Sequence, residues 1–176
     1  MIRKLEPKNS VMAKKRRLPF LLLLFALLLL PAAPSAAESP GWAVSLGLFD
    51  IGQSEKATEA GIEIHLKPRR VWRFDLVPTF AISANEDGAF WGTAGFRWDI
   101  ALGEKWVLTP NFGTVLYEQG DSKDLGHTLE FRSGLEIARR LPKGRLGVCL
   151  YHLSNASISS HNPGSESLVL VWSSGR

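Results

Sequence analysis

The chain has a single cysteine, Cys149. An internal disulfide is therefore excluded, and so is a metal centre built on thiolates, which needs several. Beyond residue 37, no segment reaches the roughly 18 to 20 apolar residues that a membrane-spanning helix requires, and none keeps a helical period. An excess of positive charge is also missing where it would count. The full chain has a formal charge of +4, but residues 1–37 hold seven Lys/Arg and one Glu, which leaves 14 Lys/Arg against 16 Asp/Glu in residues 38–176, net −2. Nucleic-acid binding loses its electrostatic basis, and no nucleic-acid partner is expected.

What is present begins with an export signal. Lys14, Lys15, Arg16 and Arg17 form a basic start, residues 18–30 an apolar run of 13, and Ser35-Ala36-Ala37 a small-residue cleavage site. The run is too short to span a bilayer as a helix, so residues 1–37 are expected to be a removable signal peptide, with Met12 as an alternative start. Residues 38–176 then form one domain.

That domain alternates apolar and polar residues with a period of two, the signature of strands with one wet and one dry face. In 58–66, Ala60, Ile62, Ile64 and Leu66 share one side, opposite Glu59, Glu63 and His65. Eight such segments are expected, near 42–49, 57–66, 72–82, 89–102, 105–117, 127–138, 144–155 and 166–172. Most have about ten residues, enough for a tilted strand to cross a bilayer. Longer polar links (50–56, 83–88, 118–126, 155–165) interleave with tight ones (67–70, 103–105, 139–143), as in barrels with long extracellular loops and short periplasmic turns.

The faces then decide between a soluble barrel and a membrane barrel. Glu59, Glu63, Asp75, Arg97, Asp99, Glu130, Arg132 and Glu136 share one side, while the other is aliphatic and aromatic, with Trp42, Trp98, Trp106 and Trp172 near strand ends. Eight strands enclose a lumen that side chains fill, so an ion-paired interior and a lipid-facing exterior accommodate both sides. The expected fold is all-β, an eight-stranded antiparallel transmembrane β-barrel of the outer membrane. His65 and Cys149 are placed in the lumen, and His127 at a strand start.

Chemistry concentrates in Tyr151-His152-Leu153-Ser154-Asn155 and in Asn162-Pro163-Gly164-Ser165-Glu166. Residues two apart on a strand share a face, so His152 and Ser154 are neighbours, the minimum for activating a serine. Asn162-Pro163-Gly164 reads as a turn that returns the chain antiparallel, bringing Glu166 beside His152 to orient the imidazole. His152 and Ser154 continue the series Leu146, Val148, Leu150, and Glu166 continues into Leu168, Leu170, Trp172. The polar trio therefore lies on the lipid face, where polar groups are expensive unless they serve a purpose. With both termini periplasmic, the end of the seventh strand reaches the outer leaflet.

The motif His152-x-Ser154-Asn155, with Glu166 twelve residues after the serine and Asn162-Pro163-Gly164 between, resembles the PagL-type outer-membrane lipid A 3-O-deacylases. The resemblance implies a serine esterase that hydrolyses the 3-O-linked acyl chain of lipid A or lipopolysaccharide. Ser154 would be the nucleophile, His152 the general base and Glu166 the orienter, with Asn162 and Asn155 forming or bracing the oxyanion hole. It implies no cofactor and no metal, and leaves a homodimer open. Two other readings compete: a non-catalytic small outer-membrane barrel with a structural or adhesion role, for which the hairpin trio is incidental, and a soluble periplasmic lipid-binding barrel.

Overall fold

The computed structural model describes residues 41–53 and 56–174; the signal-peptide expectation for 1–37 lies outside them. The described residues form ten strands and no helix. They are β1 (Gly41–Phe49), β2 (Ala57–His65), β3 (Arg69–Val71), β4 (Phe74–Asn85), β5 (Phe90–Arg97), β6 (Ile100–Leu102), β7 (Trp106–Glu118), β8 (Leu129–Leu141), β9 (Gly144–Ser154) and β10 (Ser165–Ser173). Two of them are continuations. β3 extends the path of β2 along β4, and β6 extends that of β5 along β7. The result is eight antiparallel staves, closed where β1 pairs with β10. Closure removes the sheet edges that a bilayer cannot hydrate.

Both interruptions trace to proline, which has no N–H to give to the ladder. The β5 ladder with β7 stops at Arg97 opposite Asn111 and resumes at Ile100 opposite Leu108, skipping Pro110. The expected unbroken segment 89–102 is thus divided at Trp98 and Asp99. Between β2 and β3, residues 66–68 face only two residues of β4, 77 and 78, with Pro68 and Pro78 among them. The expected tight link at 67–70 is corrected accordingly. The chain bulges there, Arg69 re-enters the sheet, and the turn falls at Trp72 and Arg73. The sixth stave runs 129–141 rather than 127–138, so His127 precedes the strand, its Nδ1 accepting the Leu129 N–H at 2.9 Å.

Alternation sorts the side chains as expected. Leu46, Ile64, Phe80, Ile82, Leu116, Leu150 and Leu170 stand on the outside, while Glu59, His65, Thr93, Arg97, Thr109, Glu130, Glu136, Arg145, Cys149 and Tyr151 are buried in the lumen. This inside-out arrangement suits lipid outside and a sealed polar interior. The tight-turn end is ringed by aromatics, with Trp72 exposed at the turn and Trp42 edge-on to Trp172 at 5.1 Å. Such rings sit at headgroup level.

Inside, Arg97 is the centre of a charge cluster. Its guanidinium lies 3.1 Å from Glu136, 3.4 Å from Glu63 and 3.6 Å from Asp99. Arg145 reaches Asp99 at 3.0 Å and Arg132 reaches Glu63 at 3.6 Å. Asp99 keeps the inward parity of Arg97 through the break before β6, and it also accepts the Thr109 hydroxyl at 2.7 Å. Towards the long-loop end, Phe49, Trp91 and Tyr117 pack ring against ring at 5.5 to 6.4 Å and cap the lumen.

Candidate active site

The site is built at the capped end, on the outward faces of β9 and β10. In their antiparallel register Glu166 stands directly opposite His152. The imidazole Nδ1 lies 3.2 Å from Glu166 Oε1, with the two side chains 34% and 50% exposed. An ionised carboxylate can only accept, so in the neutral imidazole this contact selects the tautomer protonated at Nδ1, with the lone pair on Nε2. Ser154, half-buried, stands two residues further along β9 on the same face, a step of roughly 6.6 Å. On the other flank, β8 places Ser133 opposite His152 and Phe131 opposite Ser154.

The turn after β9 is fastened by Asn155, which is fully buried. Its side-chain amide donates to the carbonyls of Leu125 at 2.9 Å and His161 at 2.8 Å, and its Oδ1 accepts the Ser157 N–H at 3.0 Å. Its backbone N–H donates to Asn162 Oδ1 at 3.1 Å. The side chain of Asn155 is therefore spent on holding two loops together. That bond engages the oxygen of Asn162 and leaves the donor capacity of its amide to Nδ2.

Sequence reasoning treated Gly164 only as a turn residue, yet it shapes the site. It adopts φ +66°, a conformation side chains rarely adopt. A Cβ there would lie 2.6 Å from His152 Cε1 and 3.3 Å from Nε2, so the glycine backbone lies against the imidazole edge. A positive φ at the end of an Asn-Pro-Gly turn was the available signal. The other missed support is the first loop, where the Ile51 N–H donates to the Glu166 carbonyl at 2.9 Å. Strand β10 begins at Ser165, one residue earlier than expected, opposite Leu153.

A closed eight-stranded barrel, apolar outside and ion-paired inside, with a histidine–carboxylate pair and a serine on its lipid-facing side, is a small outer-membrane barrel with the means for hydrolytic chemistry. The family is specific: residues 60–174 match the model of the lipid A 3-O-deacylases (PagL), and the chain belongs to that family. It is accordingly a hydrolase of the outer membrane. Among solved structures, the crystal structure of the outer membrane enzyme PagL aligns with a TM-score of 0.58 at 19% identity, covering 76% of this chain and 97% of that one. A de novo designed transmembrane β-barrel aligns with a TM-score of 0.51 at 9% identity, covering 78% of this chain and 97% of the other. Both likenesses speak to the fold. No curated protein matches the chain.

Proposed function

We propose that this lipid A 3-O-deacylase works as a serine esterase, with Ser154 as nucleophile, His152 as general base and Glu166 as the carboxylate that orients it. The reading is carried by the 3.2 Å contact from His152 Nδ1 to Glu166, two residues from a serine and on the lipid-facing side. Polar groups in that position cost free energy that folding does not need to spend.

With Nδ1 protonated towards Glu166, Nε2 accepts the Ser154 hydroxyl proton as Oγ attacks the acyl carbonyl carbon. The tetrahedral oxyanion collapses, the bond to the sugar oxygen breaks, and the imidazolium returns its proton to that oxygen. Water then attacks the acyl-serine ester, giving its proton to His152. The fatty acid leaves as Ser154 regains its hydrogen. We assign Asn162 Nδ2 as the donor to the oxyanion, and to Asn155 the role of bracing Asn162 through its backbone N–H. Nucleophile, base and orienter come from one hairpin of one copy of the chain. Phe131 stands beside Ser154 and stacks with Phe112 at 6.2 Å, which in turn meets Phe96 at 6.1 Å. This apolar tract suits an acyl chain arriving from within the bilayer.

The test is mass spectrometry of lipid A after incubation with the detergent-folded protein. Wild type is expected to remove one 3-hydroxyacyl group, and Ser154→Ala none. Unaltered lipid A beside a folded wild-type barrel would return the non-catalytic reading.

A further inference from the structure

We propose that Glu59, inside the barrel on β2, is a positioning residue that sets the spacing of the His152–Glu166 pair from behind; the inference rests on the reading above. Neighbouring residues on a strand face opposite ways. Tyr151 precedes His152 and Ser167 follows Glu166, so both point into the lumen at the step adjoining the pair. They stand opposite one another in the β9–β10 register, as His152 and Glu166 do. The Tyr151 hydroxyl donates to Glu59 Oε1, and the Ser167 hydroxyl donates to Glu59 Oε2 at 2.7 Å. One carboxylate thus ties together the two strands whose outer faces carry the pair.

The tie crosses a whole strand. Between β2 and β10 runs β1, and the residue opposite both Glu59 and Val169 is Gly47, which puts no side chain in the way. Glu59, Tyr151 and Ser167 are all buried. A buried hydrogen bond that loses one partner leaves the other group's desolvation uncompensated. The Arg132 guanidinium lies over the Tyr151 ring at 4.3 Å and holds it in place. Glu59 differs here from Glu63, Asp99 and Glu136, which meet arginines. It takes two hydroxyls, and both belong to the strands of the site.

The backbone ladder keeps β9 and β10 paired without Glu59, so the barrel survives its loss. What loosens is the local twist on which a contact between two half-exposed side chains depends. Displacement of about 1 Å costs up to about a hundredfold in rate. Glu59→Leu and Tyr151→Phe are expected to lower kcat on lipid A by roughly ten- to a hundredfold, with KM within about twofold of wild type. The double variant should be no worse than Glu59→Leu, since both cut one network. Glu59→Gln, which keeps an acceptor for Tyr151, should recover part of the loss. In 15N spectra of the imidazole, His152 should change from one tautomer, protonated at Nδ1, to a mixture. Wild-type kcat and an unchanged His152 spectrum in folded Glu59→Leu and Tyr151→Phe would overturn the proposal. If Glu59→Leu does not fold, Tyr151→Phe and Ser167→Ala decide the question alone. Should wild type prove inactive on lipid A, the esterase reading falls, while the His152 spectrum still decides the role of Glu59.

Discussion

The two faces of the same strands hold their polar groups in opposite ways. In the lumen, Arg97, Arg132 and Arg145 meet Glu63, Asp99 and Glu136 over 3.0 to 3.7 Å, largely shielded from solvent. On the lipid face, His152 and Glu166 share one 3.2 Å contact and stay half-exposed. A buried charge that loses its partner is costly, so the inner set is bound to the stability of the barrel. The outer pair, half-exposed, is open to a substrate. The difference separates the charge cluster that holds the fold from the pair that serves the reaction.

Mutations should respect that separation. The largest effect belongs to Ser154→Ala, which should reduce deacylation by at least about 10³-fold while leaving the heat-modifiable mobility of the folded barrel on gels unchanged. Arg97→Met should give the opposite signature. It leaves Glu63, Asp99 and Glu136 with only Arg132 and Arg145 as arginine partners and should cost about 3–5 kcal/mol in denaturant unfolding, while the fraction that remains folded keeps its turnover. Glu166→Gln should lower kcat on the order of 10²-fold with the unfolding midpoint unmoved, because the amide no longer holds the imidazole in one tautomer. Gly164→Ala should cost roughly tenfold in kcat, since its Cβ would drive His152 out of line. Smallest of all, Cys149→Ala should shift stability by about 1 kcal/mol or less and leave activity intact, as the buried thiol packs and accepts one weak hydrogen bond from Asn111 Nδ2 at 3.8 Å. A loss of activity in that variant, measured on the same lipid A, would mean that the lumen acts on the site by a route other than Glu59.

The sequence made the staves, their faces and the His152–Glu166 hairpin legible, because each rests on a local rule: a period of two, a turn signal and parity. The interruptions at Pro68, Pro78 and Pro110 escaped it, since the partner that lacks an N–H lies on another strand. Pro110 breaks a ladder with residues a dozen positions earlier. The support of the site escaped it for the same reason. Glu59 meets Tyr151 and Ser167 across 92 and 108 residues of chain, and no local pattern encodes that meeting. Asn155 looked like a candidate for the oxyanion, and only the loop contacts show its amide committed to Leu125 and His161.

The central claim is that hydrolysis passes through an acyl ester on Ser154 activated by His152. Labelling the folded barrel with a long-chain alkyl fluorophosphonate, followed by peptide mass spectrometry, tests it most directly. The account predicts one adduct on Ser154, formed in step with loss of deacylation and strongly slowed in His152→Ala. Full inactivation with the adduct on another residue, or unimpaired deacylation by Ser154→Ala, would contradict it.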